Sequence, residues 1–306
     1  MANDFSLFKF DGDSTGPFFK LVQRFFDPMY VRKMAQAKAD ADMVLLDSEI
    51  ELNEKRNRTF NRFMQEEEKK QTNIDNILLE AGPMLNDNAK PEDIENDWIA
   101  NANEKMKNVS EKDMRNLWAK LLAGEANQPL SFSKRTVNFV GDLEKSDAEL
   151  FTKFCSFTIQ SGGFLPVIYK HTDNVYNSNG IYFDTLEHLD AIGLIKFQHI
   201  SNFQKMGHPK TVNWFYFGKP FLIEYKNETD NKFNFGHANL TKIGNELAPI
   251  AGSKPIHGFF EHLNPLARSA AESGGSRLSL RTSFGRRSIL LRTPAFLGEL
   301  VQRVEG

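Results

Sequence analysis

The chain has 306 residues, 38 basic and 40 acidic side chains, and a formal net charge of -2. That length predicts roughly two domains, and a 40% hydrophobic, 25% charged composition is that of an ordinary globular protein. One cysteine, Cys155, excludes an intrachain disulfide framework and a CxxC zinc site, and predicts a reducing, cytoplasmic setting. No apolar run approaches the roughly 20 residues of a membrane span, and Met1 to Phe10 carry no basic-then-apolar leader.

Asp11 and Asp13, in Phe10-Asp11-Gly12-Asp13-Ser14-Thr15, match the DxDxT pattern of phosphoaspartyl phosphatases. Asp11 would be the nucleophile and Asp13 the acid/base. That chemistry needs a preceding parallel strand inside alternating β and α elements. An aromatic helix follows instead, so a polar turn is expected, with phosphatase-like activity as an alternative.

Residues 1–30 form the first segment. Phe18, Leu21, Val22, Phe25 and Phe26 recur at helical spacing and Pro28 closes the run. A short helix docked on a core is expected. A peripheral membrane anchor with Lys20 and Arg24 on its polar face is the alternative.

Residues 31–82 contain no Pro and no Gly before Gly82, and good helix formers dominate. A continuous helix there would be about 75 Å long. Its apolar residues cluster near the ends, around Met43 to Ile50 and Ile74 to Ala81. Between them only Phe60, Phe63 and Met64 can pack. Such a helix projects as a stalk, pairs with itself or a partner, or folds back. The run Glu66-Glu67-Glu68-Lys69-Lys70 reads as a solvated face.

Residues 83–145 predict a helical bundle. Gly82-Pro83 ends the long helix, and Pro91 suits the first position of the next, with Ile94, Trp98, Ile99 and Ala102 inward. Ser110 is the expected N-cap of a helix carrying Leu117, Trp118, Leu121 and Leu122, and Gly124 its expected terminator. Val137, Val140 and Leu143 mark one more helix. Trp98, Trp118 and Glu125 carry two readings, a partner surface or a helical core.

Residues 146–254 predict a winged-helix-like α+β unit. Ser146-Asp147-Ala148-Glu149 is a capping box. Strands are expected at 164–169 and 193–198, a helix between them through Leu186 and Leu189, and a hairpin turning at Gly218-Lys219-Pro220. Asn239 is expected to cap a last helix. The helix that would enter DNA carries Asp184, Glu187 and Asp190 and no Lys or Arg. Phosphate repulsion opposes that docking, so protein binding is preferred, and Lys205, Lys210 and Lys219 carry the DNA-binding alternative.

Seven histidines are scattered without HxxxH or HExxH spacing, and His171 with Asp173 lacks a third ligand, so no metal is expected. Cys155 lies in an apolar run and reads as a structural thiol. No phosphate loop, nucleophile elbow or dinucleotide fingerprint occurs, so neither a cofactor nor catalytic residues are expected.

Residues 255–306 form an atypical Arg/Ser-rich tail. Residues 1–263 hold 24 lysines and 7 arginines, whereas 264–306 hold no lysine and 7 arginines, and asparagine is absent after Asn264. A frameshifted or fused segment is the preferred account. A disordered arm, or a helix over Leu290 to Val304, is the alternative. Without residues 264–306 the chain holds 31 basic and 37 acidic groups, which argues against a nucleic-acid partner.

The stretches GPFFKLVQRFFDPMYVRKMAQAKADAD, KKQTNIDNILLEA, WAKLLAGEAN with the following SFSKRT, and LTKIGNELAPI together resemble a bacterial family known as domain of unknown function number 2806, over about residues 15–255. The resemblance implies no activity and no catalytic residue. WAKLLAGE is also similar to segments of abortive-infection-type proteins, which points to phage defence by analogy alone. The expected fold is mainly α with a smaller α+β part: a long N-terminal helix, a helical bundle and a C-terminal winged-helix-like unit. The expected role is a cytoplasmic, non-enzymatic interaction or scaffold protein, with a protein partner or self-association through the 31–82 helix.

Overall fold

The computed structural model of the chain describes residues 16–25, 50–225 and 227–263. Asp11 and Asp13, residues 31–49 of the long polar segment, and residues 264–306 lie outside the described residues. The architecture is mixed and α-dominant, with a smaller share of strand. The chain divides into two compact units, residues 1–146 and 147–306. Among the described residues no helix is long and apolar enough to cross a membrane.

The first unit begins with α1 (Pro17–Phe25), whose Leu21, Val22 and Phe25 are buried. Lys20 Nζ pairs with Glu92 at 2.9 Å, and the Arg24 guanidinium donates to the Ile94 carbonyl. This docking corrects the membrane-anchor alternative, because the apolar face an anchor would insert is already covered. Helix α2 (Ile50–Ala81) stops where Gly82-Pro83 opens a 3-10 turn. Another 3-10 turn, Pro91–Asp93, precedes α3 (Asn96–Met106). Pro91 therefore starts a turn rather than the helix expected there. Helices α4 (Lys112–Asn127) and α5 (Lys134–Asp142) complete this unit.

The cap of α4 differs from expectation. Glu111, not Ser110, is the N-cap, and its carboxylate accepts the N–H groups of Asp113 and Met114. A carboxylate reaches two orphan donors and also favours the positive end of the helix dipole. Gly124 does not end the helix. It is buried inside it, where packing outweighs the weak helix propensity of glycine.

The second unit contains most of α6 (Lys145–Cys155), then β1 (Thr158–Gln160), β2 (Phe164–Pro166), α7 (Asn174–Asn177) and α8 (Phe183–Ala191). There follow β3 (Ile195–Phe197), β4 (Phe203–His208), β5 (Thr211–Tyr216), β6 (Lys219–Glu224), β7 (Asn231–Gly236), β8 (Ala238–Leu240) and α9 (Lys242–Leu247). The pairings nest: β3 with β8, β4 with β7, and β5 with β6, all antiparallel. Strand β5 also meets β1, giving a four-stranded order β2-β1-β5-β6.

A winged helix would place the β5–β6 hairpin beside the strand after α8. Instead β3 pairs with β8, and β5–β6 joins β1 and β2. The hairpin turn also moves. Tyr216 pairs with Lys219, so Phe217 and Gly218 form the two-residue turn, with φ 46° and 77°. Thr241, not Asn239, caps α9, and Asn239 sits in β8.

Gly236 is required by this packing. Its φ is +99°, and a Cβ there would lie 2.1 Å from the Ile168 carbonyl oxygen. That carbonyl accepts the His237 N–H at 2.8 Å, while the Ile168 N–H donates to Phe235. The core nearby is aromatic: Phe157 meets Tyr176 at 5.1 Å and Phe259 at 5.0 Å between ring centroids. The Tyr216 hydroxyl donates to the Ser156 carbonyl at 3.0 Å and accepts the Ile256 N–H at 2.7 Å.

Candidate interaction surface

Helix α2 changes character along its length. From Asn73 onward it packs: Ile74, Ile77, Leu78 and Ala81 are buried, and the Asn73 amide donates to the Lys107 carbonyl at 2.9 Å. The acid of Asp75 is held above its ordinary range by burial, against the Gln71 amide that donates to it. Before Asn73 the helix is largely exposed. Phe63 is 45% exposed, and Phe60 and Met64 flank it half-buried. Residues 55–72 span about 27 Å of helix.

Contacts within that stretch are local and polar. Arg62 pairs with Glu66 at 2.9 Å and Lys70 with Glu67 at 2.5 Å, both inside the helix. Thr59 and Thr72 hydroxyls donate to carbonyls one turn back. Arg56 and Glu68 are exposed and have no ion-pair partner among the described residues. A helix polar on nearly every face stabilises itself poorly and commonly bridges or pairs. Among the described residues, Phe63 is the one large hydrophobic side chain more than a third exposed between residues 55 and 72.

The three residues of the WAKLLAGE region behave differently. Trp98, Trp118 and Glu125 are 3%, 0% and 1% exposed. A partner surface needs them accessible, so this placement corrects that reading in favour of a helical core. Trp98 Nε1 donates to the Phe132 carbonyl at 2.8 Å. Glu125 accepts the Leu130 N–H at 2.7 Å and the Phe132 N–H at 2.9 Å. Buried carboxylates need such donors, and here the loop after α4 supplies them. The loop in turn displays Leu130, 76% exposed. Sequence inspection missed Leu130, because the carboxylate that shapes its loop is five positions away and looks like one more helix residue.

Each of the three lysines of the DNA-binding alternative has its own contact within the second unit. Lys205 donates to the Ser161 carbonyl at 3.2 Å and lies 5.6 Å from the Trp214 ring centre. Lys210 pairs with Glu228 at 2.6 Å, which raises its pKa. Lys219 lies 5.8 Å from the Phe260 ring centre. A shallow depression of about 270 Å³ beside Lys205 is lined by Phe164, Gln204, Asn239 and Asn245 among others.

His171 and Asp173 do not share a site. Asp173 faces His262 at 3.9 Å, whereas His171 packs on Phe183 at 5.6 Å, Phe197 at 6.2 Å and His237 at 6.4 Å. His199 joins the same rings, 6.0 Å from Phe183. Burial, then the neighbouring His237 and His199, lower the pKa of His171. Nothing in the sequence spacing announces this cluster. Among the described residues no group of three His, Cys, Asp or Glu is placed to hold a metal ion. Cys155 is fully buried, and desolvation pushes its thiol far above the range where a thiolate forms.

A family model described as "Protein of unknown function (DUF2806)" matches residues 57–264. No curated protein and no solved structure matches the chain.

Proposed function

We propose that this chain, which belongs to the DUF2806 family of proteins of unknown function, is a non-enzymatic protein-interaction protein whose interaction element is the exposed part of α2. One observation carries this: residues 55–72 continue a helix well beyond its packed end, with Phe63 45% exposed among charges. Ordering such a segment without burial gives little stability, so a partner that covers Phe63 supplies the missing gain.

The test is capture of host proteins by wild type and by Phe63→Glu. A specific partner retained by wild type and lost by the variant, at equal thermal midpoint, is expected. Identical recoveries from both would sink the proposal. A link to phage defence rests on the WAKLLAGE likeness, and infection-dependent capture tests it.

Duplex-DNA binding through α8 and the neighbouring hairpins draws less support. Asp184, Glu187 and Asp190 lie on α8, and Lys210 is already paired with Glu228. Salt-sensitive duplex binding lost on Lys205→Ala or Lys219→Ala would favour it.

A further inference from the structure

We infer that the exposed part of α2 pairs with the same segment of a second copy of this chain, in antiparallel orientation, centred near Arg62. This deepens the interaction proposal and rests on it. The charges along the segment fall in three blocks. Lys55, Arg56, Arg58 and Arg62 come first, Glu66, Glu67 and Glu68 follow, and Lys69 and Lys70 close it. Turning one copy end for end about residue 62 sets Arg56 opposite Glu68 and Phe60 opposite Met64, all on one helical face. Phe63 lies beside the centre of the pair. Two copies therefore bury the same apolar trio twice, and cross-ion pairs flank it on both sides.

A parallel, in-register pair has the opposite electrostatics. Arg56 would face Arg56 and Glu68 would face Glu68, and like charges across a helical pair are unfavourable. Arg56 and Glu68 have no ion-pair partner among the described residues, so pairing costs them no existing bridge. They are twelve positions apart, about 18 Å along one helix, too far to pair with each other within one copy. Burial begins only at Asn73, about 16 Å from the centre on each side, which leaves room for the packed ends of both copies. With three apolar side chains per copy, the pair is a weak, concentration-dependent one.

Sedimentation equilibrium of the full chain tests this over a range of concentration. A reversible dimer is expected, converted to monomer by Phe63→Glu with an unchanged thermal midpoint. Arg56→Glu should weaken the dimer about tenfold, and the double variant Arg56→Glu with Glu68→Arg should restore it. Only an antiparallel pair couples positions 56 and 68. A parallel pair exchanges one repulsion for another and shows neither loss nor rescue. A dimer indifferent to Arg56→Glu, or one unaffected by Phe63→Glu, overturns the inference. A monomeric wild type also overturns it. If that monomer still captures a host protein through Phe63, the interaction proposal stands and only self-pairing has failed. Failure of both would remove the helix as an interaction element.

Discussion

The buried carboxylate of Glu125 accepts the backbone N–H of Leu130 at 2.7 Å, and Leu130 is held at φ 70° with its side chain 76% exposed. The acceptor is interior and the residue it positions is outside. A left-handed backbone costs a non-glycine residue about 1–2 kcal/mol, so this loop is maintained against local preference. Glu125 also accepts the Phe132 N–H, and Trp98 Nε1 donates to the Phe132 carbonyl, so the loop is held at three points.

Leu130→Gly should therefore stabilise the protein by about 0.5–1 kcal/mol, the relief of strain less the added freedom of the unfolded glycine. Glu125→Ala should destabilise it by about 3 kcal/mol, because two loop amides lose their acceptor in a buried place. Urea unfolding measures both. A destabilised Leu130→Gly would mean that the side chain makes a contact that matters more than its backbone strain.

The cap of α4 separates two kinds of charge. Lys145 touches Glu111 at 2.8 Å and Asp113 at 2.5 Å, and these carboxylates push its ammonium pKa upward. All three side chains are largely exposed, so water and salt screen the pair. Lys145→Ala should cost little, and the loss should shrink further in salt. Glu111 also satisfies two orphan helix amides, so Glu111→Ala should cost more than Lys145→Ala. Denaturant midpoints in low and high salt distinguish them, since the capping loss persists in salt. Equal losses that both vanish in salt would refute the capping role.

Gly236→Ala should be among the most damaging small changes in the second unit. The added Cβ meets the Ile168 carbonyl at 2.1 Å and the backbone stands at φ +99°. Either the His237 and Phe235 hydrogen bonds to Ile168 break, or β7 shifts from β4. A loss of at least about 3 kcal/mol is expected, read as a large drop in thermal midpoint. A near-wild-type midpoint would show that the Ile168 crossing is soft.

Acid should weaken the second unit through buried His208 and half-buried His171 and His262. Desolvation lowers His171, His208 and His262 below the ordinary 6.5, with Asp173 partly opposing the shift of His262. The unfolded chain then binds protons before the folded one does. Stability is fully present above about pH 6.5 and is lost as pH falls from there through the folded-state values. His208 has no acceptor for a second proton: its Nε2 is unpartnered among the described residues, and its ring lies against Trp214 and Tyr225. His208→Gln should lower stability at pH 7.5 yet flatten its decline between pH 7 and 5. Urea midpoints across that range measure it, and an unchanged slope would remove His208 from the account.

Much of the first unit is legible from one-dimensional pattern. Leu21, Val22 and Phe25 repeat on one helical face, and all three are buried. Gly82-Pro83 ends α2 because proline lacks the amide and clashes with the preceding turn. The polar middle of α2 could be recognised as poorly buried from composition alone. Trp98 and Trp118 could not be assigned to surface or interior, since helical spacing is the same for either until a neighbouring element is known.

The second unit shows where local pattern stops. Strand β4 reads Phe203-Gln204-Lys205-Met206-Gly207-His208, mostly exposed and without clean alternation, and β8 is only three residues long. Neither carries a periodic signal of its own. Their existence depends on β7 and β3, which lie far away in sequence. The sequence by itself determined the helical character of the first unit, the break after Ala81, the two strands of the β5–β6 hairpin though not its turn, and the polar character of α2 before Asn73. These follow from spacing, proline geometry and side-chain chemistry within a turn or two. Only the tertiary structure decided the nested strand pairing, the gathering of His171 and His199 on Phe183 and Phe197 with His237 against His171, and the burial of Glu125 beneath Leu130. Each of these joins groups through space, and backbone hydrogen bonds and desolvation are set by the neighbours that the fold brings together.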